Sequence, residues 1–244
     1  MREKRVAFVT GGAKGIGRAI VIKLAEKGFS IAVCYNKSEE SAFSLVSDLQ
    51  KKGVNAIAVQ ADLSKYDQVK RAYNEAKKHF GFIDTLINNA GISLIKPLYD
   101  CDESDYNAVM DNNFRSAFNT CKIFTPDMIS ERFGRIVNIA SVWGERGAST
   151  ETLYSASKSA LIGFSKALNA ELAINGVIVN SVSPGFIDTD MNACFSEEEK
   201  LEFLQSVSLV RAGKPEEVAS VVELLTQEEL YIAGADIPVN GGIL

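Results

Sequence analysis

Histidine is almost missing from this chain of 244 residues: His79 stands alone. Cysteine is sparse, and Cys34, Cys101, Cys121 and Cys194 show no metal-ligand spacing. With a single imidazole to help, they exclude the common zinc sites. Isolated thiols in a chain of this length fit a reducing compartment, and so a cytoplasmic protein. No lysine- or arginine-rich run marks a nucleic-acid surface; 26 Lys and Arg face 31 Asp and Glu, spread along the sequence. No apolar run is long enough to cross a bilayer, and the charged start Met1 to Arg5 lacks the apolar core of a signal peptide. Linkers, repeats and low-complexity tracts are also missing, so residues 1–244 read as one domain.

What the chain does have is a rhythm. Short apolar runs at 5–10, 30–35, 54–60, 84–88, 135–140, 177–182 and 237–239 read as strands. Between them, amphipathic stretches at 15–27, 39–51, 66–80, 104–131 and 153–173 read as helices. Ser196 and Glu199 form a capping box for a short helix, and Pro215 suits the first turn of another. This alternation predicts an α/β fold: a doubly wound parallel sheet with helices on both faces. Residues 189–213 break the rhythm and are expected to form a helical lid inserted over a site.

The first strand-to-helix turn reads Thr10-Gly11-Gly12-Ala13-Lys14-Gly15-Ile16-Gly17. A chain that turns sharply and lets its backbone approach a pyrophosphate needs glycine there, and the following helix offers free N–H groups to the anion. No Gly-Lys-Ser/Thr follows, which excludes a P-loop. The second strand ends Cys34-Tyr35-Asn36-Lys37-Ser38, without the acidic residue that accepts from a ribose 2′-hydroxyl. Lys14 and Lys37 are instead placed to receive a 2′-phosphate, so NADP(H) is the expected cofactor.

Tyr154 and Lys158 are four apart on an expected helix and share its face. A nearby ammonium favours the phenolate, so Lys158 is expected to lower the pKa of Tyr154 from its ordinary value near ~10 and make it a general acid.

These stretches occur in a fixed order with Asp62-Leu63, Asn88-Asn89-Ala90-Gly91, Asn113, Ser141, Pro184-Gly185 and Asn240-Gly241-Gly242. Together they resemble the short-chain dehydrogenase/reductase family over nearly the whole chain. The resemblance implies a Rossmann-like domain that assembles as a homotetramer through the helices after Ser104 and around Tyr154. It implies that Tyr154 protonates a ketone oxygen, that Lys158 holds the nicotinamide ribose, that Ser141 orients the carbonyl and that Asn113 holds a relay water. Asp62 and Leu63 would meet the adenine, Asn89, Ala90 and Gly91 the adenosine ribose and its surroundings, and Pro184, Gly185, Ile187 and Thr189 the nicotinamide end. Duller readings stand beside these: Asn113 bonded to a neighbouring loop, Asp62 or Ser64 capping a helix, Ser141 satisfying a strand end.

Within the family the chain is similar to NADPH-dependent reductases of 3-oxoacyl groups on acyl carrier protein, the fatty-acid biosynthesis reading. Arg132 stands where such enzymes keep a carrier-docking arginine, while Asn175 replaces the second. The Ser141–Tyr154 loop, with Trp143 and Glu151, is also similar to reductases of a 5-aminopentanone group on elongation factor P. There Glu151 would pair with an amino group, or else face water while Trp143 packs under the loop. A non-catalytic NADP(H)-binding redox sensor is the alternative of another class.

Overall fold

The computed structural model describes residues 5–192 and 195–243; Met1 to Lys4 and Cys194 lie outside the described residues. Val6–Thr10 (β1) is buried along its whole length, as a strand covered on both faces must be. It joins Ser30–Tyr35 (β2), Ala56–Gln60 (β3), Thr85–Asn88 (β4), Gly134–Ile139 (β5), Val177–Pro184 (β6) and Asp236–Val239 (β7). All pairings are parallel, in the order β3-β2-β1-β4-β5-β6-β7. The first and fourth strands begin just after the expected Arg5 and Asp84. Those two residues form an ion pair at 2.6 Å instead, and Asp84 also accepts from the N–H of Val6 at 2.8 Å.

The helices are Gly15–Glu26 (α1), Glu39–Lys51 (α2), Tyr66–Phe80 (α3), Glu103–Met110 (α4), Ser116–Ser130 (α5), Val142–Arg146 (α6), Thr152–Leu172 (α7), Glu197–Leu204 (α8) and Pro215–Leu225 (α9). Strand side chains alternate between two core layers. Ala7 and Val9 pack with α1, α2 and α9; Val6 and Phe8 pack with α3, α5 and the C-terminal part of α7. On the second face Phe124 meets the edges of Phe8 and Tyr73 with ring centres 4.9 and 4.6 Å apart.

The expected long helix over 104–131 is interrupted. Asp111–Arg115 is a π-helical turn, and the extra residue re-aims Asn113 at the loop after β4. Asp102 caps α4 through a capping box, as does Ser196 for α8. Neither Asp62 nor Ser64 caps α3; the Asp62 carboxylate accepts from the N–H and hydroxyl of Ser64 at 3.0 and 2.7 Å. Among the described residues no helix is long and apolar enough to cross a membrane, and no cluster suits a metal.

Because every strand runs the same way, the loops after β1, β4, β5 and β6 meet at one edge of the sheet. The chain order reverses between β1 and β4, and ligand crevices form at such a switch point.

Candidate active site

At that edge lies a cavity of about 1090 Å³. Its floor is built by two interlocked loops. The Thr10 hydroxyl donates to the carbonyl of Ile87 and accepts from the N–H groups of Asn89 and Ala90 at 2.9 and 3.0 Å. The Asn89 amide donates back to the carbonyls of Thr10 and Gly11 at 3.0 and 3.2 Å. Gly17 is required by this contact: a Cβ there would stand 2.2 Å from the Gly11 oxygen and 2.5 Å from Asn89 Nδ2. Gly11 adopts a φ of +60°, open to glycine at little cost. Lys14 gives α1 no side-chain cap, so the first N–H groups of that helix stay available to an anion. Gly11, Lys14, Gly15 and Ile16 line the cavity, while Gly12 and Gly17 are buried behind it. These features fit the pyrophosphate of a dinucleotide.

Asn89, Ala90 and Gly91 line the same wall, and Pro184, Gly185, Ile187 and Thr189 line the facing one. Asn36 and Lys37 are exposed past the end of β2, outside the cavity wall. Asp62 is held by Ser64, and Leu63 turns its side chain into the core beside α3.

Ser141, Tyr154 and Lys158 converge on the cavity and are nearly buried. The Ser141 hydroxyl accepts from the N–H of Trp143 at 3.2 Å, capping α6, and bonds the Tyr154 phenol. Lys158 Nζ donates to the carbonyl of Ile139 at 2.8 Å and lies 5.7 Å from the Tyr154 ring centre. The expected lowering of the phenol pKa is corrected here. Burial pushes Tyr154 up to about 12; the Ser141 bond opposes that rise and the Glu151 charge adds to it. Burial also pulls Lys158 down to about 8. Desolvation outweighs the cation because each charged form loses water on entering this site.

Asn113 lies outside the cavity wall. Its amide donates to the carbonyl of Ile92 and to Ser157 Oγ, both at 2.9 Å, and its oxygen accepts from the N–H of Ile92 at 2.7 Å. Both amide hydrogens are spent, so a water has only the second lone pair of Oδ1. Ser157, unremarked in the sequence although it falls between Tyr154 and Lys158, links Asn113 to the Tyr154 carbonyl.

Trp143 and Glu151 both line the cavity. Trp143 meets the edge of Phe203 from α8 at 5.8 Å, and Phe203 stacks obliquely on Phe186 at 5.1 Å. Those two phenylalanines were not foreseen; aromatic residues in an irregular segment carry no periodic signal. Arg132 is not brought to the site. It precedes β5 whereas Ser141 follows it, so the strand, about 20 Å long, separates them. It lies beside Asn175 and Gly176 at the far edge, with its guanidinium 3.5 Å from the carbonyl of Ile174.

The family description "short chain dehydrogenase" matches residues 5–200, and the chain belongs to that family. It is an NAD(P)-dependent oxidoreductase acting on a ketone or an alcohol. It is 39% identical over 244 residues to the 3-oxoacyl-[acyl-carrier-protein] reductase FabG of Staphylococcus aureus, covering 100% of this chain and 99% of that protein. It is 37% identical to the acetoacetyl-CoA reductase of Cupriavidus necator, covering 98% of each. Among solved structures it resembles a 3-oxoacyl-[acyl-carrier protein] reductase of Brucella melitensis, with TM-score 0.92, 33% identity and coverage of 98% of this chain and 91% of that one. A putative gluconate dehydrogenase of Agrobacterium tumefaciens superposes as well, with TM-score 0.94, 30% identity and coverage of 98% and 95%. The fold is thus common to proteins named for different substrates.

Proposed function

We propose that the protein is an NADPH-dependent cytoplasmic reductase that converts the ketone of a 3-oxoacyl thioester, carried by acyl carrier protein, to the 3-hydroxyacyl product. The observation that carries this reading is the Tyr154 phenol, bonded to Ser141 inside the cavity, with Lys158 on its own helix. The two hydroxyls would hold the ketone oxygen. Bound on the glycine floor, a reduced nicotinamide supplies the hydride. Tyr154 would give its proton to the carbonyl oxygen as the carbonyl carbon takes up that hydride, giving the alcohol. Lys158 would stabilise the phenolate left behind and hold the ribose. Asn113 would keep this turn in place and offer Oδ1 to a relay water.

Lys14 on the cavity wall and Lys37 beyond β2 support NADPH, since the acids nearest the strand end, Glu39 and Glu40, already belong to α2. The names of the relatives support the thioester over a sensor. An acyl-carrier docking role for Arg132 would serve the cavity of a neighbouring subunit, not its own. A homotetramer is supported by the exposed aromatic side chains of Tyr106 and Phe118. The segment 189–213 would act as a lid; α8 has no buried residue.

The test follows oxidation of NADPH and of NADH with acetoacetyl-CoA, beside 5-aminopentanone-modified elongation factor P. Turnover of the thioester with a clear preference for NADPH is expected. Turnover confined to the modified protein would overturn the thioester assignment.

A further inference from the structure

A line of polar side chains crosses the sheet in a layer otherwise built of residues such as Leu86, Phe124 and Ile136. The Thr120 hydroxyl of α5 donates to Asn88 Oδ1, at the end of β4, at 2.6 Å. The Asn88 amide donates to Asn138 Oδ1 on β5 at 2.8 Å and to Cys121 Sγ at 3.4 Å. The Asn138 amide donates to Ser165 Oγ on α7 at 2.8 Å, and the Ser165 hydroxyl to the carbonyl of Leu161 at 2.7 Å. All four side chains are buried, and the links run donor to acceptor in one direction, so each bond polarises the next. Buried polar groups add little net stability over apolar ones of the same shape, because desolvation takes back much of what the bonds give. What this line supplies is direction.

Its last link joins the two elements that carry the chemistry. α7 bears Tyr154 and Lys158. β5 ends on Ile139, whose carbonyl takes Lys158, and Ser141, which bonds the Tyr154 phenol, follows two residues later. Asn138 directly precedes Ile139, and Ser165 stands seven residues after Lys158, two turns along the same face of α7. The strand thus holds the helix at two points about 10 Å apart along its axis, Ile139 to Lys158 and Asn138 to Ser165. Leu161 is buried between them. Apolar attraction has no preferred direction and tolerates a small slide of the helix; a hydrogen bond at 2.8 Å does not.

We propose that Asn138 and Ser165 are positioning residues for the reaction: their hydrogen bond sets the register of α7 on β5, and with it the fit of Tyr154 to Ser141 and of Lys158 to the Ile139 carbonyl. Neither residue lines the cavity. The inference rests on the ketone-reductase reading and adds residues that act through its proton donor and its lysine. Asn88 and Thr120 extend the hold to β4 and α5. Without the Asn138–Ser165 bond the helix can slide, and the ammonium loses the carbonyl that favours its charged form.

The test is Ser165→Ala. Val222→Ala, in the core layer on the opposite face of the sheet, is a control for loss of packing alone. Three quantities are read: NADPH affinity by calorimetry, kcat with acetoacetyl-CoA, and the pH dependence of kcat/KM for NADPH, whose alkaline limb stands at about 8 in the wild type. Ser165→Ala should bind NADPH within about threefold of wild type and lose at least about tenfold in kcat, the scale of a misplaced reacting group. Its alkaline limb should move down by at least about half a pH unit. Ser165→Cys, which keeps an acceptor for Asn138, should recover part of both losses, and Val222→Ala should show neither. An unmoved limb in Ser165→Ala, or the same shift in Val222→Ala, overturns the proposal while leaving the reductase reading intact. If Ser165→Ala does not fold, Ser165→Cys carries the test: a smaller shift in the same direction supports the proposal and an unmoved limb overturns it. A wild type that binds NADPH but turns over no ketone overturns both.

Discussion

Lys158 Nζ lies 5.7 Å from the centre of the Tyr154 ring and gives a hydrogen to the carbonyl of Ile139 at 2.8 Å. The ammonium is thus held between the end of β5 and the phenol, in a place where burial works against its charge. Without a bound nucleotide the pair is a neutral phenol beside a weakened base. The first expected outcome concerns activity against pH. Lys158, at about 8, loses its charge well before Tyr154, at about 12. The kcat/KM for NADPH, which reports the free enzyme, should fall above about pH 8. A profile flat to pH 10 would contradict it.

The same two groups set a stability profile. Lys158 has a folded pKa below its unfolded one, so between about 8 and 10.5 the unfolded chain binds more protons and stability rises with pH. Tyr154 has a raised folded pKa; between 10 and about 12 the folded chain binds more protons and stability falls. Lys158→Met should therefore compare more favourably with the wild type at pH 7 than at pH 10, by up to about 3 kcal/mol. Denaturant melts of both proteins at the two pH values check this; a difference that does not depend on pH refutes it.

Gly17→Ala tests the floor of the site. The new methyl would overlap the Gly11 carbonyl and the Asn89 amide, both backbone-anchored, so the interlock must open. A loss of about 1–3 kcal/mol in stability is expected, together with loss of nucleotide binding by calorimetry. Gly163→Ala, within α7 and with nothing in the chain within 4 Å of the new methyl, is the control: it should leave nucleotide binding unchanged and cost no stability, gaining up to about 1 kcal/mol.

Cofactor choice should follow two side chains. Replacing Lys14 and Lys37 together by alanine removes the candidate partners of a 2′-phosphate, each charge-assisted bond contributing about 1.5–3 kcal/mol. The ratio of kcat/KM for NADPH over NADH should drop at least tenfold. An unchanged ratio would place 2′-phosphate recognition elsewhere.

Much of this molecule is legible in its sequence, for reasons that are local. β2, α2 and α3 have the expected bounds because apolar runs and helical periodicity both end at glycine or polar residues there. The direction of β5 already separates Arg132 from Ser141, since one precedes and the other follows a strand whose neighbours are parallel. The π turn at Asp111–Arg115 has no periodic mark, and the five-residue α6 is too short to show one. The electrostatics of Tyr154 and Lys158 depends on their burial, with Lys158 set against the end of β5, Gly91 and Gly144, which spacing along one helix does not encode.

The lid reading has its own check. Trp143 and Phe186 touch Phe203 near the end of α8, and Val207 pairs with Ile243, so the segment is held from the end of α8 onward while the first turn of that helix is exposed. Limited proteolysis within 189–213 should slow when NADPH and ketone are present. Cleavage at the same rate with and without ligand would count against closure.

The most direct measurement is a single turnover of the Tyr154→Phe variant, loaded with NADPH and mixed with acetoacetyl-CoA. Removing the phenol hydroxyl should leave NADPH affinity within about threefold of wild type and slow hydride transfer by roughly 10²–10⁴-fold, the contribution of a positioned general acid. Transfer at the wild-type rate in a variant that binds NADPH normally would contradict the assignment of Tyr154 as the proton donor.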